Sequence, residues 1–276
     1  MEVQVQLTMG LKDQLAGTIP AELLQELSDH FEVIGDVAVI SLPPGLLPYS
    51  DEIARAIILR RHNILTVLNR AGSITGPDRT ARYEVLYGKT TETVHTEFKF
   101  SYRLDVTESF FSARLAYERK RVTDQVEPGE RVFIPFAGVG PFVIPAAARG
   151  AEVYAVEQNP RAFRYLIENI SLNHVTGTCH AIQGDAFNTD LLPPVRFDRL
   201  IIPAPYGMDN ALGRFLPLLS EGGMAHVYRF LPKEQVPAVL REYEEMGFDI
   251  TFSSSCGNVA PGISRRVFDI AFPLLP

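Results

Sequence analysis

The sequence predicts an α/β chain: a mostly parallel sheet that ends in an antiparallel hairpin, preceded by a small α+β domain. Three observations predict it. Residues 131–142, Arg131-Val132-Phe133-Ile134-Pro135-Phe136-Ala137-Gly138-Val139-Gly140-Pro141-Phe142, read as a buried strand that breaks into a Gly-x-Gly turn and opens a helix. A second apolar strand, Ala151 to Val156, ends in the acid Glu157, about 20 residues on, the place where a β-α-β unit sets an acceptor for ribose hydroxyls. Beyond it strands and helical periods alternate to the end, except that no helix separates the last two strands.

The chain begins with a polar lead-in to about residue 28, with one short amphipathic helix, Pro20 to Leu27. Phe31 to Leu42 alternates in part and predicts one or two strands around a Gly35-Asp36 turn. From Ser50 to Leu68 the apolar residues Ile53, Ile57, Leu59, Ile64, Val67 and Leu68 fall at helical spacing. Ser50 or Asp51 can cap that helix, and Arg55, Arg60, Arg61 and Arg70 give it a basic face. Threonine- and aromatic-rich pieces, Tyr83 to Leu86, Thr91 to Phe98 and Phe100 to Val106, predict strands. Residues 1–100 are therefore expected to form the small domain and residues 101–276 the larger one. Ser109 to Val126 predicts a helix with Leu115 and Val122 inward and a charged run, Glu118-Arg119-Lys120-Arg121.

In the larger domain strands are predicted at Val132–Phe136, Glu152–Val156, Cys179–Gln183, Arg199–Pro203, Met224–Phe230, Asp249–Ser254 and Val267–Phe272. Helices are predicted at Phe142–Arg149, Pro160–Asn173, Asn210–Leu219 and Lys233–Met246, with a loop from Cys256 to Arg266 between the last two strands. This is the pattern of the Rossmann-like class I methyltransferase fold; an ordinary dinucleotide dehydrogenase would continue β-α-β.

At 276 residues the chain can bury a sizeable core, and its 46% apolar and 21% charged residues are ordinary for a globular protein. No apolar run reaches a membrane span, and Met1 to Gly10 lacks the basic start and apolar core of a signal peptide. The two cysteines, Cys179 and Cys256, have no metal spacing and read as inert, partly buried thiols. A cytoplasmic monomer with no metal and no membrane partner is expected. The net charge of −7 argues against wholesale nucleic-acid binding but leaves room for a local basic face. Arg55/Arg60/Arg61 and Arg119-Lys120-Arg121 are the candidates for one.

Candidate site residues collect at strand ends. Phe136, Gly138 and Gly140 would shape the first turn, Glu157 would hold ribose, and Asp185 after the third strand would accept from the exocyclic amine of adenine. Read singly, each is equally a turn residue or an exposed strand-end acid. Their coincidence at three strand ends favours a nucleoside site. Ile202-Pro203-Ala204-Pro205-Tyr206 follows the fourth strand, which faces the transferred group, and Tyr206 could stack on a base; a plain proline-rich turn fits equally. Arg114 and Glu118 share one helix face, either as a surface ion pair or as a phosphate contact and a general base.

These residues resemble the archaeal and eukaryotic S-adenosylmethionine-dependent enzymes that modify tRNA at position 37. One branch methylates guanine N1, and its sibling transfers the aminocarboxypropyl group in wybutosine synthesis. The resemblance runs through Arg79, Thr91-Glu92-Thr93-Val94-His95, Leu104-Asp105-Val106 and Phe111-Ser112-Ala113-Arg114-Leu115 with Glu118-Arg119. It continues through Phe136 to Phe142, Glu157-Gln158-Asn159-Pro160, Glu168 to Asn173 and Ala260-Pro261-Gly262, covering roughly two thirds of the chain. It implies S-adenosylmethionine as cofactor and the anticodon region of tRNA as partner. It also implies Glu118 as general base, Arg79 near the reacting base, and Glu157 and Asp185 as ribose and adenine contacts. Two positions depart from the family pattern: Ile134 stands where an acid is usual, and Pro203-Ala204-Pro205 stands where Asn-x-Pro is usual. The Arg114 to Arg119 motif and Gly138 to Phe142 look like the methylating branch. Glu157 to Pro160, the Ala260-Pro261-Gly262 loop and the lack of room for an extra N-terminal RNA-binding domain look like the other. N1-methyl transfer is the first expectation, aminocarboxypropyl transfer the second, and a tRNA-binding protein that has lost the chemistry the third.

Overall fold

The computed structural model describes residues 10–72, 81–208 and 210–273. The chain forms two compact units: Met1–Glu97 with Ser101–Ala113, and Phe98–Phe100 with Arg114–Pro276.

The described part of the first unit begins with two short helices, α1 (Leu11–Gln14) and α2 (Ala21–Glu26). A hairpin follows, β1 (Glu32–Ile34) and β2 (Val37–Ile40), then a 3-10 turn at Pro44–Tyr49 and α3 (Ser50–Arg60). β3 (Thr66–Arg70) and β4 (Tyr83–Tyr87) complete a sheet of order β1-β2-β3-β4, in which β2 and β3 run parallel. β5 (Glu92–Glu97) and β6 (Phe100–Asp105) pair as a separate hairpin. Leu11, Ile40, Leu46, Ile53, Ile57 and Val67 close one core.

The helix expected over residues 50–68 stops at Arg60. Val67 and Leu68 suit helical spacing, but both are fully buried in β3, which pairs in parallel from Val37↔Thr66 to Ile40↔Asn69. Parallel neighbours need a crossover, so α3 must end early enough to let the chain return. Arg70 consequently lies on a strand and not on the helix's basic face.

In the second unit α4 spans Ala116–Thr123 behind a 3-10 turn at Ala113–Leu115, shorter than the helix expected from Ser109. The preceding residues are drawn into other bonds. Ser109 Oγ donates to the Asp105 carbonyl, while Ser112 Oγ and Ala113 N both donate to Glu32 Oε1. Such local polar bonds compete with helix formation.

The main sheet has seven strands: β7 (Arg131–Pro135), β8 (Glu152–Glu157), β9 (Cys179–Gln183), β10 (Phe197–Ile202), β11 (Leu219–Leu231), β12 (Asp249–Ala260) and β13 (Ile263–Ala271). Between them lie α5 (Val143–Ala148), α6 (Pro160–Leu172), α7 (Ala211–Phe215) and α8 (Val236–Glu245). The order is β12-β13-β11-β10-β7-β8-β9, parallel except where β13 runs antiparallel to both β11 and β12. Four of β7's five residues are buried, as a strand with parallel neighbours on both sides requires. On α6, Ala162, Tyr165, Leu166, Asn169 and Ile170 recur at helical spacing and are buried. Phe133, Phe197, Phe215 and Phe268 fill a core against the sheet.

The loop expected from Cys256 to Arg266 is largely strand: β12 and β13 continue until only Pro261 and Gly262 separate them. Its Ser-Gly-Asn composition reads as loop, and β12 accommodates it through register shifts at Ser255/Asn258 and Asn258/Ala260.

Close approach dictates the glycine at position 35 in the first unit. Gly35 has φ +58°, and a Cβ there would lie 2.1 Å from Thr93 Oγ1 and 2.6 Å from the Val94 carbonyl. The same turn is tied to β5 by Gly35 N donating to His95 Nδ1 and Thr93 Oγ1 donating to Asp36 Oδ1. Gly35→Ala is expected to cost about 1–3 kcal/mol from backbone strain alone, with the clash added, and urea unfolding of the whole chain measures it.

Candidate active site

The strand order reverses between β7 and β10, the place where open α/β sheets hold ligands outside the carboxyl ends of their strands. With β9, β8, β7 and β10 parallel neighbours, Asp185, Glu157, the Phe136–Gly140 turn and Pro203 stand in a row along that edge.

The turn is held by its neighbours. Phe136, Gly138 and Gly140 all have left-handed backbone, with φ of +57°, +57° and +96°. A Cβ on Gly140 would sit 2.9 Å from Leu166 Cδ1, so the glycine permits α6 to pack there. Glu157 Oε2 accepts from Gly138 N at 2.7 Å, and Oε1 accepts from Asn159 N at 2.7 Å. Asn159 caps α6 by accepting from Arg161 N and Ala162 N, and the buried Asn169 donates Nδ2–H to the Val139 carbonyl at 2.9 Å. Phe136 is unusual as a non-glycine residue at positive φ. Its ring packs 5.6 Å from Phe187 and 6.0 Å from Phe215.

Asp185 is exposed, and its Oδ1 accepts from Phe187 N at 3.0 Å. Pro203 is half-buried after β10, where Ala204 N donates to the Ile202 carbonyl at 2.7 Å. Tyr206 is 57% exposed with its ring against Phe230. Ile134 is fully buried in β7, so that position is core packing in this chain. Among the described residues no group of His, Cys, Asp and Glu could hold a metal, and no helix is long and apolar enough to cross a membrane. Arg79 lies outside the described residues. Burial raises both thiols, Cys179 and Cys256, to about 12.

Glu118 joins this edge through Tyr228. Glu118 Oε1 accepts from Tyr228 Oη at 2.8 Å, and the Tyr228 ring lies 5.8 Å from Phe142, which follows the glycine turn. Burial, with the Glu118 charge second, raises the Tyr228 phenol well above its ordinary value. Glu118 pairs with Arg121, at 2.8 Å and 2.9 Å, and not with Arg114, which lies exposed in the turn before α4. Arg121 then donates to both oxygens of Asp269, at 2.6 Å and 3.1 Å. His226 bridges Asp269 Oδ1 at 2.8 Å to Arg199 Nη1 at 2.9 Å, and Arg199 forks onto Glu130 at 2.7 Å and 2.8 Å. Because Arg199 can only donate, His226 Nε2 accepts, Nδ1–H donates to Asp269, and the imidazole is neutral.

One expectation about charge is corrected here. The run Arg119-Lys120-Arg121 is not a basic face: Arg119 is 3% exposed and Arg121 belongs to the network, leaving Lys120 outward. The residues that sequence reasoning missed are Tyr228, Arg121 as Glu118's partner, His226, Asp269 and Arg199. Polar residues inside the apolar strands Met224–Phe230 and Val267–Phe272 were the available signal, since a buried polar group is the informative exception.

The site is chemically suited to a nucleoside carrying a cation. Glu157 fastens the turn and the start of α6 through its two carboxylate oxygens, and Asp185 stands exposed at the end of β9.

The comparisons with known proteins agree with this architecture. Residues 93–249 match the TRM5/TYW2 methyltransferase domain, and residues 11–91 match the TYW2 N-terminal domain. The chain is 38% identical over 216 residues to the tRNA (guanine(37)-N(1))-methyltransferase Trm5b of Pyrococcus abyssi, covering 78% of this chain and 64% of that protein. It is 32% identical over 275 residues to the tRNA(Phe) (4-demethylwyosine(37)-C(7)) aminocarboxypropyltransferase of Pyrococcus horikoshii, covering 95% of this chain and 98% of that protein. The crystal structure of Pyrococcus horikoshii TYW2 in complex with MeSAdo superposes with a TM-score of 0.75 at 30% identity, covering 95% of this chain and 97% of that one. The chain belongs to the TRM5/TYW2 methyltransferase family.

The network sets the pH dependence of stability. Burial alone would raise the Asp269 carboxyl, but hydrogen bonds from His226 and Arg121 outweigh it and hold it well below the carboxylate range. Burial keeps His226 below its usual value, against the pull of Asp269. Both groups bind protons more readily unfolded than folded, so stability is full above about pH 6.5 and falls on acidification. The unfolded-state histidine protonates first, then unfolded Asp269 below about pH 4. Asp269→Asn is expected to lose about 3–5 kcal/mol at neutral pH and to flatten the acid limb, as urea unfolding across pH would read.

Proposed function

We propose that this member of the family is an S-adenosylmethionine-dependent transferase that modifies tRNA at position 37, with methyl transfer to guanine N1 as the reaction its site chemistry suits best. The observation that carries the reading is Glu118: a carboxylate oriented by Arg121 and Tyr228, joined through Tyr228 to the turn that would hold the cofactor. Bound S-adenosylmethionine supplies an electrophilic carbon beside its sulfonium. Glu157 accepts from the ribose hydroxyls, and Asp185 accepts from the exocyclic amine of adenine. Phe136, Gly138 and Gly140 carry the left-handed backbone that lets the chain approach the nucleoside, and Pro203 walls the side that faces the transferred group. Glu118 takes the N1 proton as the guanine attacks. Arg114, in the turn before the same helix, contacts a phosphate or base edge, and Arg79 takes the role that the family resemblance gives it toward the reacting base. Holding donor and acceptor in line supplies most of the rate. The partner is the anticodon region of tRNA, whose position-37 base leaves its stack to reach the pocket. The protein works in the cytoplasm as a monomer without a metal.

Aminocarboxypropyl transfer is the second reading, and a separate observation favours it. Residues 11–91 match the TYW2 N-terminal domain, and the Pyrococcus horikoshii relative, 32% identical over 275 residues, carries that activity in its name. The absence of an asparagine at Pro203 points the same way. A third reading, a tRNA-binding protein without chemistry, is separated from both by cofactor binding.

Calorimetry is expected to show S-adenosylmethionine binding; none at high micromolar concentration would sink both enzyme readings. Mass spectrometry of nucleosides, after reaction with unmodified and with 4-demethylwyosine-containing tRNA, then reads which group is transferred and to which base. Glu118→Gln is expected to lower kcat for methyl transfer by about 10²–10⁴-fold with cofactor affinity unchanged. Intact turnover in that variant would remove the general-base role.

A further inference from the structure

The β5–β6 hairpin turns through Phe98 and Lys99, with φ of +45° and +80°. Two successive left-handed residues are the geometry that Asn-Gly fills most easily. A phenylalanine and a lysine there are strained, and the strain presents both to solvent: Phe98 is 41% exposed and Lys99 is exposed. The Phe98 ring meets Tyr117 edge to face, with centroids 5.3 Å apart and planes at 76°. Tyr117, on α4, is 80% exposed. The Lys120 ammonium lies 5.8 Å from the Phe98 centroid, and Arg114 is exposed in the 3-10 turn that leads into α4. Two exposed aromatic rings thus stand beside Lys120, which also pairs with Asp124, with Lys99 next to Phe98 in the chain and Arg114 in the turn before α4, in a chain whose net charge is −7.

Burial does not account for this arrangement, because Tyr117 remains largely in water and Phe98 keeps 41% of its surface exposed. A single-stranded nucleic acid does: an unpaired base offers a π-face to stack on a ring, and its phosphates meet the cations. Position on the helix makes the occupant more specific. Tyr117 points outward while the next residue, Glu118, turns its carboxylate inward, with 14% of its side chain exposed.

We propose that Phe98 and Tyr117 form a stacking platform for an unpaired nucleotide of the RNA substrate, next to the base that enters the pocket, with Lys99, Lys120 and Arg114 contacting its flanking phosphates. The platform rests on the reading of the chain as a tRNA-modifying enzyme. It gives the anticodon loop a defined foothold on α4 and on the hairpin tip.

The chain contains no tryptophan, so the Tyr117→Trp variant carries a single tryptophan, at the platform, that can be excited apart from the tyrosines. An anticodon stem-loop RNA is expected to quench it, and a blunt duplex of equal length is expected not to. Tyr117→Ala and Phe98→Asn are each expected to weaken stem-loop binding about tenfold, seen as a raised KM with little change in kcat. The asparagine variant relieves the left-handed strain, so a merely structural role predicts higher melting temperature and unchanged RNA affinity. Quenching together with the affinity losses supports the platform. If the unaltered chain binds stem-loop RNA but the tryptophan is not quenched and both variants bind normally, the platform is overturned while the tRNA reading stands. If the unaltered chain binds no tRNA at all, both fall.

Discussion

Asp269 is the constraint around which the catalytic unit is arranged. At 1% exposure its carboxylate has left water, a transfer that costs several kcal/mol unless the charge is paired and its lone pairs are filled. Arg121 supplies two hydrogen bonds, His226 a third and Gln125 a longer fourth at 3.4 Å. Satisfying that one group fixes α4 against β13 and orients the imidazole on β11. It also leaves the remaining N–H groups of Arg121 aimed at Glu118. The chain from Glu118 to Glu130 contains two guanidiniums and three carboxylates, with His226 neutral, so it carries one excess negative charge. Its two part-exposed ends are Glu118, at 14%, and Glu130, at 18%, where water can share that excess. A carboxylate at such an end is held in place by its partners on one side and meets water on the other.

The ligand edge is organised by the same economy of shared partners. Glu157 fastens the glycine turn on one side and the start of α6 on the other, and Asn169 returns from α6 to the turn's Val139 carbonyl. The turn is therefore closed by bonds to the second strand and its helix, and does not wait for a ligand to shape it. Tyr228 connects the two systems, with its hydroxyl on Glu118 and its ring on Phe142. A displacement of α4 would thus be felt at the glycine turn through a single side chain.

How much of this was legible in the sequence depended on the range of the interaction. The strand-end residues Phe136, Glu157, Asp185 and Pro203 were legible because local pattern sets each strand and sheet topology then places the ends together. The helix over residues 50–68 was misread because the spacing of Ile64, Val67 and Leu68 serves either structure until the parallel partner β2 decides it. The final hairpin was underestimated because Ser, Gly and Asn in β12 suit a loop, whereas pairing with β13 makes a strand of them. The network was not legible as a network: Arg121 and Asp269 are 148 residues apart, and Tyr228 and Glu118 are 110 apart. Only the presence of His226 and Asp269 in apolar strands marked the place.

The charged run on α4 shows why counting charges in sequence overstated the basic surface. Successive residues of a helix point about 100° apart, so four adjacent charges cannot share one environment. Glu118 and Arg121 turn into the network, Arg119 is buried, and Lys120 faces out, where it also pairs with Asp124 at 2.5 Å. A run that would suggest three phosphate contacts thus leaves one outward cation. Counterion release scales with the number of phosphates neutralised, so this face contributes a shallow salt dependence. On the proposed tRNA reading, this face of an acidic chain adds to its few cations contacts that salt does not screen. Open aromatic rings supply those contacts, and the strained turn at Phe98 is the local cost of presenting them.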